Sequence, residues 1–127
     1  MPGNMFRILI VDDDHDIRTN LSDILMDIGY ETDTAACGQD AIAKIESCPV
    51  GDTLYDLCLL DFKMPGLDGV QLYEKILVRS PGLKAIMITA FAGEDGIQRA
   101  KDAGTWKVLK KPIDIPELLT IISDAQG

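Results

Sequence analysis

The sequence predicts an α/β fold in which helices cover both faces of a parallel sheet, the doubly wound arrangement. Two observations support this class. Short segments of strand character, three of them strongly apolar, alternate five times with segments of helical character within a chain of 127 residues. The apolar segments are continuous rather than alternating in polarity, which is typical of parallel strands buried on both faces. Successive strands should therefore be joined by right-handed crossovers.

The first half of the chain supplies two strand–helix pairs. Residues 6–11 are an apolar run rich in β-branched side chains, which predicts the first strand. Residues 17–28 repeat apolar side chains at helical spacing, and Gly29 supplies a helix stop. Residues 31–36 form a weaker strand candidate, and residues 39–47 form a short helix candidate.

The middle of the chain continues the alternation with an apolar strand over residues 56–61. The next helix is predicted over residues 69–79, with Asp68 as its N-cap. Residues 84–89 form the fourth strand, and residues 94–103 form a polar, weakly patterned helix.

The last strand and helix complete the set. Residues 106–110 form a short, lysine-rich fifth strand. Asp114 and Glu117 have the spacing of a capping box, which predicts the start of the final helix. Because the sequence contains no internal repeat or linker, we expect one domain over residues 5–126 and no further domain in this chain.

Composition and charge narrow the classes of function. The sequence is 46% hydrophobic and 26% charged, and it contains no apolar run long enough to span a bilayer. Its net charge of −9 opposes direct nucleic-acid binding, which needs a basic surface. Cys37, Cys48 and Cys58 are an odd set without C-x-x-C spacing, which disfavours disulfides or a zinc site. We therefore expect a cytoplasmic protein that binds neither membranes nor nucleic acid.

Polar residues stand at the carboxyl ends of four predicted strands. Asp12 and Asp13 follow the first strand, Asp61 ends the third, Thr89 ends the fourth, and Lys111 follows the fifth. In a parallel sheet these ends meet at one edge, where ligands bind. Clustered carboxylates repel one another and need a cation or a proton to coexist at neutral pH, and hard oxygen ligands suit Mg²⁺. Such a site fits phosphoryl transfer, with Asp61 as a nucleophile that forms an aspartyl phosphate.

Four segments carry a family resemblance, and in order they read ILIVDDDHDIR, DLCLLDFKMPGLDG, IMITA and AGTWKVLKKPID. Together they resemble the receiver domain of two-component response regulators, over about residues 7–125. The resemblance implies a flavodoxin-like fold with five parallel strands in the order 2-1-3-4-5 and five helices. It also implies a signalling domain, not a conventional enzyme, that catalyses only its own phosphorylation and dephosphorylation.

The resemblance implies roles for individual residues in metal binding. Asp13 would bind Mg²⁺ directly, and Asp12 would help through a water molecule or a hydrogen bond. Asp61 and the backbone carbonyl of Lys63 would complete the protein part of the metal shell.

The resemblance also implies how the phosphoryl group is received. Asp61 would accept it from a histidine kinase or a phosphotransfer protein. Thr89 and Lys111 would then contact the phosphoryl oxygens, and the Lys111–Pro112 bond is expected to be cis. The face formed by residues 94–122 would change its affinity for an output partner or for a second copy in a homodimer.

Two positions depart from the usual pattern of the family. Val108 stands where many receivers carry a tyrosine or phenylalanine that moves inward on activation. Any switch must therefore work without that ring. Phe91, two residues after Thr89, is bulky and cannot orient an attacking water by hydrogen bonding, so we predict slow loss of the phosphoryl group.

Two other classes of function stay open at this point. Val108 favours a receiver-like binding module that works without phosphorylation, whereas the complete set of acids, threonine and lysine opposes it. A phosphatase with an aspartyl nucleophile is disfavoured because Lys63 occupies the position of the second acid. No glycine-rich phosphate loop follows the first strand, which disfavours nucleotide binding.

Several polar residues near the motifs have simpler interpretations. Asp14 is predicted to cap a helix rather than bind a metal, and His15 to be a solvated first-turn residue. Lys110 should point to solvent while Lys111 faces the site, because neighbours on a strand point in opposite directions. Trp106 is predicted to pack rather than to bind a partner.

Overall fold

The computed structural model describes residues 6–47, 55–64, 66–90 and 94–126. One parallel sheet has the strand order β2-β1-β3-β4-β5. Its strands are β1 (Arg7–Val11), β2 (Glu31–Ala35), β3 (Leu57–Asp61), β4 (Lys84–Thr89) and β5 (Lys107–Lys110). The helices are α1 (His15–Ile28), α2 (Gly38–Glu46), α3 (Gly69–Arg79), α4 (Glu94–Asp102) and α5 (Ile115–Gln126). The predicted fold class and strand order are confirmed.

Helix α1 begins two residues earlier than its apolar periodicity predicted. The Asp14 carboxylate accepts hydrogen bonds from the backbone N–H groups of Asp16 at 2.9 Å and Ile17 at 3.2 Å. These bonds satisfy donors that the first helical turn leaves unpaired, so the first turn forms before the apolar stripe starts. At the other end Gly29 has φ 116°, as predicted for a helix stop. Ile28, counted in the apolar stripe, is 50% exposed in the last turn.

The core lies on both faces of the sheet. One face packs against α1 and α5 through Leu21, Leu25, Leu118 and Ile122. The other face packs against α2, α3 and α4. All five residues of β3 are buried, which explains why that strand lacks polar alternation.

The start of α3 is held close to the end of β3. The Gly69 N–H donates to the Phe62 carbonyl at 2.7 Å. A Cβ atom at Gly69 would lie 2.7 Å from the Asp61 carbonyl oxygen and 2.5 Å from the Met87 sulfur. Only a residue without a side chain fits this approach, so Gly69 fixes where the loop after Asp61 turns.

Two residues named above, Cys48 and Phe91, lie outside the described residues. Among the helices that the structure describes, none combines the length and the apolar character needed to cross a membrane.

Candidate acidic phosphoryl site

The site is built at the carboxyl ends of β1 and β3, which are neighbours in the sheet. Val11 pairs with Leu60, so the residues that follow them, Asp12 and Asp61, stand side by side. Asp13 comes next along the chain, and carboxylate oxygens of the three aspartates lie within 4.8 Å of one another. Asp12 is 3% exposed and Asp61 is 4% exposed, whereas Asp13 is open to solvent. The cluster is therefore a buried carboxylate pair with one solvent-facing carboxylate at its mouth.

Lys111 is the cation of the cluster. Its Nζ atom lies 3.3 Å from Asp61 Oδ1 and 3.4 Å from Asp12 Oδ2. Its backbone N–H donates to the Thr89 carbonyl at 2.8 Å, and the Lys111–Pro112 bond is cis, as predicted. The neighbouring Lys110 is exposed, which confirms that the two lysines point in opposite directions.

The electrostatics of the cluster penalise the charged form of Asp61. Burial, followed by the charge of Asp12, raises the pKa of Asp61 from 3.8 to about 6, although Lys111 opposes the rise. Burial alone would lower the pKa of Lys111, but the charges of Asp61 and Asp12 outweigh burial and raise it. Among the described ion pairs of this cluster, Lys111 is the cation and it pairs with two of the three carboxylates, so the cluster is short of positive charge.

Thr89 and Lys63 flank this cluster. Thr89 is 2% exposed and ends β4, the strand beside β3, so it lies on the same edge of the sheet. Lys63 is two residues beyond Asp61 in the loop after β3, and its side chain is exposed. Any role of Lys63 at the cluster would therefore rest on its backbone carbonyl.

Arg18 is a contributor that the sequence analysis did not single out. Its Nη1 donates to the Asp12 carbonyl at 2.8 Å, and its Nη2 lies 3.2 Å from Nδ1 of the exposed His15. Arg18 thus ties α1 to the end of β1. One sequence feature could have predicted this contact. Arg18 lies six residues after Asp12, on the helix that follows the strand.

The chemistry of the donors fits a hard divalent cation. Carboxylate and carbonyl oxygens are the ligands that Mg²⁺ prefers, and Mg²⁺ usually takes one or two carboxylates and keeps several water molecules. Two buried carboxylates beside a solvent-facing third match that demand, because water can reach the cluster from the Asp13 side. The cluster can therefore hold a metal ion.

The departure at Val108 is visible in the packing. Val108 is half-buried on β5 and packs against the core beneath α3 and α4. Trp106 packs against the opposite core cluster, as predicted, with Lys84 Nζ 5.1 Å from its ring centroid.

Comparison with known proteins places this geometry in a family. A model of the response regulator receiver domain matches residues 8–123. A response regulator receiver protein of Anaeromyxobacter is 37% identical over 117 residues, which are 92% of this chain and 47% of the relative. The chain therefore spans about half the length of that relative. Sporulation initiation phosphotransferase F of Bacillus subtilis is 36% identical over 112 residues, 88% of this chain and 86% of the relative.

Solved structures agree with the sequence comparison. The crystal structure of a CheY-like response regulator receiver domain protein from Methanospirillum hungatei superposes with a TM-score of 0.86 at 36% identity. The match covers 95% of this chain and 93% of that chain. The similarity therefore includes the whole sheet and its helices.

Proposed function

This chain belongs to the response regulator receiver domain family, the signalling modules of two-component systems, and we propose that it works as a phosphoryl-accepting switch. In this proposal Asp61 accepts the phosphoryl group from a histidine kinase or a phosphotransfer protein. The observation that carries the proposal is the placement of Asp61. Its buried carboxylate lies among Asp12, Asp13 and the Lys111 ammonium, which is 3.3 Å away.

A divalent cation is part of the proposal. Asp13 and Asp61 would bind Mg²⁺ directly, Asp12 would help through water or a hydrogen bond, and the Lys63 carbonyl would add a third protein oxygen. When bound, the ion neutralises negative charge that builds up on the phosphoryl oxygens. The shortage of positive charge around Asp12 and Asp61 supports this assignment.

The transfer itself needs few protein groups. An Asp61 carboxylate oxygen forms a bond to phosphorus while the bond from phosphorus to the donor's imidazole nitrogen breaks. The leaving nitrogen keeps the electron pair of that bond. The Lys111 ammonium lies close enough to Asp61 to pair with the negative charge of a phosphoryl group bound there. Thr89 lies at the adjacent strand end. Positioning and charge neutralisation supply most of the catalysis in such reactions.

The output of the switch is assigned to the face formed by α4, β5 and α5, over residues 94–122. A phosphoryl group adds charge and acceptor oxygens at Asp61, and Lys111, the residue after β5, contacts Asp61 directly. We propose that this face binds an output partner, or a second copy of the chain, with an affinity that depends on the state of Asp61.

Intact-mass spectrometry tests the proposal. The protein is incubated with Mg²⁺ and a small acyl phosphate, beside Asp61→Asn and the matched control Asp23→Asn, an exposed carboxylate on α1. One phosphoryl group should appear on the wild type and on Asp23→Asn. It should be absent from Asp61→Asn and from wild type in EDTA. An adduct that persists in Asp61→Asn would disprove Asp61 as the acceptor.

A phosphorylation-independent binding module is the second candidate. Val108, which lacks the ring that usually reports the state of the site, is the observation in its favour. The absence of any adduct with two different phosphodonors would support this candidate over the switch.

A further inference from the structure

Arg99 ties helix α4 to the segment that follows Asp61. Its Nη2 atom lies 3.0 Å from Asp68 Oδ2. Its guanidinium carbon also lies 5.5 Å from the centroid of the Phe62 ring. An arginine that pairs with a carboxylate and lies over an aromatic ring uses its charge and its planar face together.

Both partners of Arg99 are fixed relative to Asp61. Phe62 is the next residue, and its N–H donates to the Ile88 carbonyl at 2.7 Å while its own carbonyl accepts from Gly69 at 2.7 Å. Asp68 uses Oδ1 to cap α3 by accepting from the Gln71 N–H at 2.8 Å, which leaves Oδ2 for Arg99. These hydrogen bonds connect the backbone at Asp61 to both partners of Arg99.

The helix that Arg99 belongs to has little apolar anchoring. Among the α4 side chains that the structure describes, Ala100 is the buried one and Ile97 is half-buried. An alanine contributes little apolar area, so polar contacts hold a large share of this helix in place. The Arg99 bridge is therefore well placed to fix the position of α4. This contact matters more in this chain, because β5 carries Val108 and not an aromatic side chain at that position.

We propose that Arg99 is the residue that couples the state of Asp61 to helix α4. The Phe62–Arg99–Asp68 bridge holds α4 against the loop in the unmodified protein, and phosphorylation at Asp61 changes the strength of this bridge. Arg99 is a positioning residue, because it contacts the loop and not the reacting atoms. The inference rests on the proposed function and names the regulation of the same site. Since coupling is a free energy between two sites, it is measurable at either one.

Hydrogen exchange of the α4 amides over residues 97–102, with and without Mg²⁺ and acyl phosphate, tests the coupling. Arg99→Gln removes the charge and the pairing, and Lys101→Gln removes an exposed charge from the same helix as the matched control. We expect α4 of unmodified Arg99→Gln to exchange about fivefold faster than wild type, because one ion pair and one cation–π contact are lost. The change in exchange that phosphorylation causes in wild type should fall by more than half in Arg99→Gln.

Two further variants separate coupling from general loosening of the helix. Arg99→Lys keeps the charge and should restore part of the response, whereas Lys101→Gln should respond as wild type does. Asp68→Asn keeps the α3 cap, since asparagine caps helices about as well as aspartate, but removes the ion pair. It should reproduce part of the Arg99→Gln effect, since the contact of Arg99 with Phe62 remains, and the double variant should behave like Arg99→Gln.

The outcomes separate the two proposals. No phosphoryl adduct on the wild type overturns both the proposed function and the coupling. An adduct with no change in α4 exchange, or with the same change in Arg99→Gln as in wild type, overturns the coupling alone. A response that falls by more than half in Arg99→Gln, falls by a smaller amount in Asp68→Asn and is kept in Lys101→Gln supports it.

Discussion

Replacement of Asp61 by asparagine should stabilise the metal-free protein. The side chain is 4% exposed, and burial together with the charge of Asp12 raises the pKa of its carboxyl to about 6. The folded protein therefore disfavours the charged form that predominates at neutral pH. Asparagine has the same shape and carries no charge, so Asp61→Asn removes this penalty and leaves the packing in place.

The magnitude follows from linkage. The rise from 3.8 to about 6 corresponds to about 3 kcal/mol, at about 1.4 kcal/mol per pKa unit. Water reaches the cluster from the side of the exposed Asp13, and screening reduces the effect. We therefore expect a gain of about 1 to 3 kcal/mol in the free energy of unfolding at pH 7.5. For a domain of this size the gain raises Tm by about 3 to 10 °C.

The sign of the pH dependence is fixed by the same values. The folded-state pKa of Asp61 lies above its unfolded value, so the penalty is absent below pH 3.8 and grows until the pH passes about 6. The advantage of Asp61→Asn over wild type should therefore shrink to about half between pH 7.5 and pH 5.

Thermal and urea unfolding in EDTA, at both pH values, measure this advantage. Asp23→Asn is the control, because it makes the same chemical change at an exposed position on α1. The reasoning is refuted if Asp61→Asn is no more stable than wild type at pH 7.5, or if Asp23→Asn gains as much. Added Mg²⁺ should stabilise wild type more than Asp61→Asn, since the variant lacks one of the proposed ligands.

Three more predictions concern single positions. Gly69→Ala should lower the free energy of unfolding by about 1 to 3 kcal/mol in urea titrations, because its Cβ would lie 2.7 Å from the Asp61 carbonyl; Gly82→Ala, with open space around it, should change it little. Asp14→Ala should cost about 1 kcal/mol in the same assay by removing the α1 cap, and a loss equally large in Asp14→Asn would contradict the capping role. Phosphoryl loss from Asp61 should take minutes or longer, as followed by intact mass, because Phe91 cannot orient a water; loss within seconds at neutral pH would contradict this.

The positions of the site residues were predictable because strand ends are predictable. An apolar run that stops at an acid, as at Asp12 and Asp61, marks both the strand and the edge where its last side chain lies. The bounds of α3 and β4 were predicted without error, since Asp68 marks the helix start and the strand is bounded by polar residues. The α1 start was predicted two residues late, because apolar periodicity does not include the polar first turn that Asp14 caps.

The contacts of long side chains were not predictable from the sequence. Arg18 and Arg99 each bridge two elements, and their partners depend on how far apart the helices and strand ends pack. Periodicity gives the face on which an arginine lies but not the length of the gap that it must cross. The coupling assigned to Arg99 therefore became visible only when Asp68 and Phe62 were seen on the facing loop.

Stability and function oppose each other at Asp61. A buried carboxylate beside Asp12 is costly to the fold, yet the same shortage of positive charge would favour a divalent cation at the proposed metal site. Lys111 lies within 3.4 Å of both carboxylates and compensates only part of this cost. A second basic residue beside Asp13 would stabilise the fold, but its side chain would occupy the position that a metal needs. Asp61→Asn should therefore gain stability and lose metal affinity together, as expected where selection for activity maintains a destabilising charge.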